Sequence, residues 1–173
     1  GLINAMNFMD NMDGASSVVA AIAALTFFLI ALGNGQYLVA ALSLALAGAL
    51  AGFLIFNWAP ASIYMGDAGA LFIGFLLAVI GIRLNNDSIT QVRSLAIPVL
   101  IMGIPIIDTT TVVISRIRRG VSPLQGGRDH LSHRIHARVS KRVENSLVAT
   151  RITVLILGVA SAFLAAVAYL LSR

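Results

Sequence analysis

The sequence predicts an all-α fold: a polytopic transmembrane helix bundle with about five spans and one long basic cytoplasmic loop. Of the 173 residues, 58% are hydrophobic and 11% are charged, whereas soluble domains are roughly 45–50% apolar and roughly 25% charged. The mean hydropathy of +0.92 leaves too few polar residues to cover a water-soluble surface, and it excludes a disordered chain. The composition therefore indicates an integral membrane protein.

Helices need about 20 apolar residues to cross a bilayer core of about 30 Å. Four stretches meet this requirement, and a fifth, shorter one at residues 68–82 is expected to begin near residue 63. They cover residues 15–32, 37–56, 63–82, 95–114 and 152–171. Residues 115–151 are predicted as a loop. With no internal repeat, residues 1–173 are interpreted as a single unit. Because the chain begins inside a motif-like segment, we expect it to be a fragment of a longer transmembrane domain.

The charge distribution predicts how the chain lies in the membrane. The net charge of +5 could suggest a nucleic-acid partner, but eight of the twelve basic residues lie in Arg116–Arg142. The positive-inside rule places this segment in the cytoplasm. Counting the spans back from it then assigns each acidic residue to one side of the membrane. Of the seven acidic residues, only Asp87 falls outside. The other six fall on the cytoplasmic side: Asp10, Asp13, Asp67, Asp108, Asp129 and Glu144. This convergence indicates one acidic site close to one basic loop.

Asp10 and Asp13 stand three residues apart, as do Asn4 and Asn7 before them. On a helix this spacing puts all four side chains on one face, and two close carboxylates repel each other unless a cation or a shared proton intervenes. The alternative is that Asp13-Gly14 caps a helix and Asp10 is a solvated flank.

Asp67 follows a proline- and glycine-containing segment, Asn57–Gly69. Pro60 ends the preceding helix, so Asp67 is predicted at a junction between a loop and a helix. Its carboxylate is a hard oxygen ligand of the type that Mg²⁺ uses together with substrate phosphates. The alternative is that Asp67 only caps the third span.

Asp108 lies one to two helical turns before Arg116. It could therefore pair with Arg116 or Arg119 near the membrane surface, which would be a structural role.

All three histidines of the chain lie at three-residue spacing in the basic loop, as His130, His133 and His136. A histidine-only zinc site is one interpretation, and a basic surface facing anionic lipid is another. The third is a phosphate clamp, in which Arg128 and Arg134 offer bidentate contacts and the histidines offer donors or a proton.

Four segments, in this order, resemble the signature motifs of the polyprenyl-phosphate N-acetylhexosamine-1-phosphate transferases. Asn4–Gly14 resembles N-A-x-N-F-x-D-G-x-D-G, and Pro60–Gly69 resembles P-A-x-x-F-M-G-D-x-G. Pro105–Thr109 matches P-x-x-D-T, and Arg128–Arg134 matches R-D-H-x-x-H-R. The last motif is more similar to the branch that uses UDP-GlcNAc than to the branch that uses UDP-muramoyl-pentapeptide.

The resemblance implies transfer of N-acetylhexosamine-1-phosphate from a UDP-sugar to polyprenyl (undecaprenyl) phosphate, with release of UMP, at the start of cell-envelope glycan synthesis. It implies Mg²⁺, or Mn²⁺ in its place, held by Asp67. The implied catalytic residues are Asp10, Asp13, His130 and His133. The implied substrate-binding residues are Asn4, Asn7, Asn57, Arg128 and Arg134.

The implied setting is the bacterial cytoplasmic (inner) membrane, with the active site facing the cytoplasm. The expected partners are UDP-N-acetylhexosamine, polyprenyl phosphate and membrane lipid, without nucleic acid, and a homodimer is one assembly that the chain could form. The sequence departs from the family pattern at Asn11, where glycine is common, and at Ser132, where many relatives have histidine. An upstream D-D-x-x-D segment of the family is absent from these residues.

Two other functions remain open at this point. One is a transporter or lipid-binding membrane module, although transporter sites lie near the bilayer midplane and these acids are predicted at one face. The other is a catalytically incomplete half of the transferase.

Overall fold

The computed structural model describes residues 1–84, 91–122, 127 and 129–173, and for residues 91–94 it describes the backbone alone. Within these residues all regular structure is helical, which confirms the predicted fold class. Eight helices occur there: α1 (Leu2–Met9), α2 (Ala15–Gly33), α3 (Tyr37–Asn57), α4 (Gly66–Arg83), α5 (Gln91–Ile101), α6 (Gly103–Arg118), α7 (Leu131–Val139) and α8 (Ser146–Leu171).

Four of the described helices, α2, α3, α4 and α8, are long and apolar enough to cross a membrane. The fifth candidate is a bent pair, in which Leu95–Ile101 and Gly103–Arg118 are inclined by 76°. The predicted span 95–114 is therefore not one straight helix. The bend falls at Met102, whose backbone (φ −89°, ψ 17°) leaves the helical region, four residues after a proline that removes one helical hydrogen-bond donor.

The third and the fifth predicted spans begin at other residues in the structure. The third span, α4, begins at Gly66 rather than at residue 63, because the polar loop extends to Met65. The last begins at Ser146 rather than at residue 152, because the side chain of Asn145 accepts hydrogen bonds from two backbone N–H groups of its first turn. Such a cap satisfies donors that a helix start leaves unpaired.

The packing of α1 on α4 positions the polar end of the molecule. A Cβ atom added at Gly74 in α4 would lie 2.9 Å from the Cα atom of Ile3 in α1, so the two backbones are in close contact. Helix α2 packs against α3, α4 and α8, and its Phe27 is completely buried together with Leu77 of α4. The end of α1 is thereby held beside the first turn of α4.

Candidate active site

Asp10 and Asp13 lie in a turn between α1 and α2 and not on one helix. Helix α1 ends before Asp10, whose backbone (φ −80°, ψ 52°) is not helical, and Gly14 has a φ of +75°. A positive φ is readily adopted by glycine because it lacks a Cβ atom. The predicted common helix face is therefore wrong for the two aspartates, and only Asn4 and Asn7 are helical.

The buried Asn57 fixes the start of α2. Its Oδ1 atom accepts hydrogen bonds from the Gly14 N–H at 3.1 Å and from the Ser17 hydroxyl at 2.8 Å. Its Nδ2 atom donates to the Ile63 carbonyl at 3.0 Å. The side chain thus joins the turn before α2 to the loop between α3 and α4, and its predicted role toward substrate stays a prediction.

The loop between α3 and α4 binds the second aspartate of the turn. The Ala61 N–H donates to Asp13 Oδ2 at 3.0 Å, while the N-cap of α2 is Gly14 and has no side-chain cap. The alternative that Asp13 caps a helix is therefore wrong. Arg151 in α8 donates to the Ala59 carbonyl at 2.8 Å and secures this loop. Sequence reasoning missed Arg151, because its partner lies 92 residues away.

Asp10 is close to both other acids of the predicted site. It accepts a hydrogen bond from Ser16 Oγ at 2.7 Å and one from the backbone N–H of Gly66. Burial raises the pKa of the Asp10 carboxyl, the negative charges of Asp67 and Asp13 raise it further, and the two hydrogen bonds oppose this shift without reversing it. The structure thus brings two carboxylates of the turn between α1 and α2 close to the carboxylate of Asp67 in α4.

A polar cleft of about 260 Å³ opens beside these acids. It is lined by Asp10, Asn11, Met12, Asp13, Asn57, Tyr64 and Met65. Asp67 is exposed in the first turn of α4, and the N-cap of this helix, Met65, makes no side-chain cap bond. The alternative of Asp67 as a helix cap is therefore not what the structure shows.

The carboxylates offer hard oxygen atoms, which suit Mg²⁺ or Mn²⁺. In the part of the chain that the structure describes, no group of three or more His, Cys, Asp or Glu side chains is arranged to hold a metal ion alone. This includes the three histidines, so the zinc interpretation has no support there. A magnesium ion at Asp10, Asp13 and Asp67 would need further oxygen ligands, which substrate phosphates commonly supply.

Asp108 is completely buried in α6 and holds the start of α7. Its Oδ2 atom lies 2.8 Å from His130 Nδ1, and its other oxygen accepts a hydrogen bond from the Leu131 backbone N–H. This carboxylate therefore orients the imidazole ring and satisfies one of the N–H groups that a helix start leaves free.

The predicted pairing of Asp108 with Arg116 or Arg119 is wrong, because both arginines donate to Asp129. Arg116 makes a bidentate pair at 3.0 and 2.8 Å, and Arg119 Nη2 donates at 2.7 Å. These contacts, led by the Arg116 hydrogen bonds, hold the pKa of Asp129 well below its usual range. Arg134 Nε donates to the Asp129 carbonyl at 2.9 Å.

The two sequence departures contact each other. Ser132 in α7 donates a hydrogen bond to Asn11 Oδ1 in the turn after α1. Close by, the rings of Phe8 and His130 have centroids 6.0 Å apart. The basic segment is therefore attached to the edge of the acidic cleft by a contact between the two departures, Asn11 and Ser132.

The other predicted site residues lie at different distances from this cleft. The ring of His133 is 6.3 Å from that of His130. Arg134 lines a separate basic cleft of about 460 Å³ together with Arg118 and Arg119. Asn4 is exposed and Asn7 half-buried on α1, and neither lines the acidic cleft. Arg128 and Asp87 lie outside the described residues.

Fold and site together define a class of protein. The chain is a multi-pass membrane protein with a cleft lined by carboxylates between the turn after α1 and the loop before α4. The basic segment is attached to this cleft through the Ser132–Asn11 contact. Such a pairing of acidic and basic groups suits a divalent cation and a phosphorylated ligand.

Comparison with known proteins supplies the family. The model of "Glycosyl transferase family 4" matches residues 1–85. The "Probable undecaprenyl-phosphate N-acetylglucosaminyl 1-phosphate transferase" of Bacillus subtilis (strain 168) is 36% identical over 137 residues, which cover 79% of the chain and 38% of that relative. The chain belongs to glycosyl transferase family 4, and the resemblance seen in its motifs is confirmed.

Two further relatives show the breadth of the match. The "Decaprenyl-phosphate N-acetylglucosaminephosphotransferase" of Mycolicibacterium smegmatis is 36% identical over 78% of the chain and 37% of its own length. The "Phospho-N-acetylmuramoyl-pentapeptide-transferase" of Bacillus cytotoxicus is 39% identical over 66% of the chain and 33% of its own length. The chain thus spans less than two fifths of the relatives that it matches.

Proposed function

We propose that the whole protein transfers N-acetylhexosamine-1-phosphate, and specifically GlcNAc-1-phosphate, from a UDP-sugar to polyprenyl (undecaprenyl) phosphate. The reaction releases UMP and begins the synthesis of a cell-envelope glycan. The names of the two relatives that act on N-acetylglucosamine support this substrate. One structural observation carries the proposal: Asp67, in the first turn of α4, lies close to Asp10, which with Asp13 lines one cleft.

The donor set of this cleft fits a divalent cation. Burial raises the pKa of Asp10, the charges of Asp67 and Asp13 raise it further, and a bound cation would relieve the repulsion among these carboxylates. Asp67 would be the principal ligand, with Asp10 and Asp13 beside it. When bound, Mg²⁺ or Mn²⁺ neutralises charge on the diphosphate of the sugar nucleotide.

The chain's own residues position the reacting groups. Phosphoryl transfer depends mainly on positioning and on charge stabilisation. An oxygen of the polyprenyl phosphate attacks the sugar-linked phosphorus, and the bond from that phosphorus to UMP breaks. Asp108 holds the His130 ring, which with His133 and Arg134 would bind the sugar-phosphate end. Asn4, Asn7, Asn57 and Arg128 remain the proposed contacts to the rest of the substrate.

The location of the cleft agrees with a lipid substrate. Asp10 and Asp13 lie between helices and Asp67 lies in the first turn of α4, so the acids occupy helix ends. Transporter sites are typical of the bilayer midplane, and this difference favours the enzyme. We propose that this end faces the cytoplasm from a bacterial inner membrane. A homodimer stays a prediction.

Removal of one carboxylate charge tests the proposal. In the full-length enzyme we expect Asp67→Asn to lower UMP release by about 100-fold at limiting Mg²⁺, because one charged metal ligand is lost. Glu144→Gln, which neutralises an exposed carboxylate elsewhere, is the matched control and should keep full activity. Undiminished turnover of Asp67→Asn at limiting Mg²⁺ would contradict the metal site.

The same assay separates the enzyme from an incomplete half. Residues 1–173 alone should bind UDP-GlcNAc weakly and turn over slowly or not at all, because they span less than two fifths of the matched relatives. The full-length protein should turn over. If the full-length protein binds UDP-GlcNAc and releases no UMP, the degenerate interpretation replaces the transferase.

A further inference from the structure

An apolar groove runs along α8, away from the acidic cleft. One part, of about 690 Å³, lies between Ile104 in α6 and side chains of α8 that include Val159 and Phe163. A second part, of about 600 Å³, lies between α7 and the start of α8. Ile152 and Ile156 line both parts, so the two form one continuous depression, which we call the α8 groove.

The length of the α8 groove corresponds to one membrane leaflet. Its lining extends along α8 from Ile152 to Leu164, which is about 18 Å at the rise of an α-helix. Half of a bilayer core spans about 15 Å. Because α8 is itself long and apolar enough to cross a membrane, an acyl chain lying parallel to it would fill the groove.

Three basic side chains line the α7 end of the groove: Arg138, Lys141 and Arg142. Within the described residues none of the three forms a salt bridge or a side-chain hydrogen bond. This differs from Arg116 and Arg119, which both form salt bridges with Asp129. Between α7 and α8 the chain has one acidic residue, the exposed Glu144. The α7 end of the groove therefore keeps a net positive charge.

We propose that the α8 groove binds an anionic phospholipid, with its phosphate at Arg138, Lys141 and Arg142 and one acyl chain along α8. The charge of the groove end and the apolar lining beyond it match such a lipid. Basic residues at a membrane surface attract anionic headgroups. This site goes beyond the proposed function, because it shares no lining residue with the acidic cleft.

Native mass spectrometry of the full-length protein with added dioleoyl-phosphatidylglycerol tests the headgroup. We expect a triple variant with R138Q, K141Q and R142Q to bind this lipid at least about tenfold more weakly than the wild type. Arg83→Gln, at an exposed arginine outside the groove, should bind as the wild type does. Equal binding by the triple variant and the wild type would overturn the proposal.

A second pair of variants tests the acyl chain. Ala160→Phe fills the groove and should weaken binding of the same lipid, whereas Ala166→Phe, on an exposed part of α8 outside the groove, should not. Equal effects of the two variants would overturn the acyl-chain position.

Competing ligands distinguish the sources of the phosphate. Dioleoyl-phosphatidylcholine and inorganic phosphate should fail to displace phosphatidylglycerol from the wild type, because the first lacks a net charge and the second lacks a chain. Displacement by inorganic phosphate would reduce the site to an anion site and overturn the lipid assignment. Stronger retention of polyprenyl phosphate than of phosphatidylglycerol, lost in the triple variant, would assign the groove to the substrate and overturn the phospholipid.

Discussion

The aspartates on the two sides of the site differ in their partners. In the described part of the chain, Asp10, Asp13 and Asp67 form no ion pair, whereas Asp129 binds two arginines and Asp108 binds a histidine. The pKa shifts follow these partners: burial and neighbouring acids raise the pKa of Asp10, while Arg116 lowers that of Asp129.

This difference distinguishes the carboxylates of the proposed site from the carboxylates that hold the surrounding structure together. Carboxylates that gather without cationic side chains leave their charge available to an ion or a ligand, as catalytic groups with shifted pKa values commonly do. Carboxylates that are paired hold the basic segment in place. A common residue type thus serves two purposes within one end of the molecule.

The largest expected effect comes from neutralising the acidic side. Asp10→Asn keeps the size of the side chain and removes its charge, so we expect UMP release by the full-length enzyme to fall by about 100- to 1000-fold. The assay is run at saturating UDP-GlcNAc, with Glu144→Gln as the control. A loss of less than about tenfold would place Asp10 outside the reacting groups.

The next effect concerns the two arginines that share Asp129. Arg116 has a side chain that is 4% exposed, so Arg116→Gln should lower the free energy of unfolding by about 3 kcal/mol, because it leaves a poorly solvated carboxylate with the exposed Arg119 as its cationic partner. Arg119 is 56% exposed, so Arg119→Gln should cost less than about 1 kcal/mol. Denaturant unfolding in detergent measures both, and equal effects would contradict the assignment.

The acid dependence of this pair has a definite sign. Because the pKa of Asp129 is lowered in the folded state, its contribution to stability is complete above the unfolded value of about 4 and is lost as pH falls through the folded value. The stability difference between wild type and Arg116→Gln should therefore stay constant from pH 7 to pH 5. A difference that fades already within this range would show that Asp129 is not the group responsible.

A smaller effect is expected at Asp108. Asp108→Ala removes the partner of His130 and of the Leu131 N–H, which should cost about 2 kcal/mol through unpaired buried donors. The start of α7 should also become more susceptible to limited proteolysis. Thr110→Ala, at an exposed position of the same helix, is the control. Protease resistance equal to that of the wild type would contradict the anchoring role.

The smallest effect is a gain in stability at the acidic side. Without added divalent cation, Asp10→Asn should raise the Tm at pH 7, because ionised Asp10 is disfavoured by burial and by Asp67 and Asp13. A raised pKa in the folded state means that stability falls as pH rises from about 4 through the folded value. The gain should therefore vanish in acid below about pH 4, where the wild-type carboxyl is protonated. A lower Tm for Asp10→Asn at pH 7 would contradict this electrostatic picture.

The fold class and the proximity of three acids could be predicted from the sequence, because both depend on patterns that are local or additive. Apolar stretches indicated the helices, and the positions of the acids relative to them predicted that Asp10, Asp13 and Asp67 converge. Local geometry was less accessible. The spacing of Asp10 and Asp13 fits one helix face, yet α1 ends before Asp10. The backbone then turns at Gly14, which has a positive φ, before α2 begins.

Partners that are distant in the sequence could not be predicted. Helical spacing favours near neighbours and predicts Arg116 or Arg119 as the partner of Asp108. In the structure its partner is His130, which lies 22 residues later. Ser132 and Asn11 each stood out as a departure, and no local pattern could show that they bond across 121 residues. The contact between Arg151 and the Ala59 carbonyl could not be predicted for the same reason, because only the packing of the helices brings Arg151 close to the loop between α3 and α4.

The most direct test of the central claim is a count of divalent ions bound at the three acids. Mn²⁺ binding to the full-length protein, measured by electron paramagnetic resonance in the presence of UDP, should give one ion per chain. Asp10→Asn, Asp13→Asn and Asp67→Asn should each weaken this binding by at least about tenfold, while Glu144→Gln leaves it unchanged. Undiminished Mn²⁺ binding in all three variants would show that the gathered carboxylates do not form a cation site.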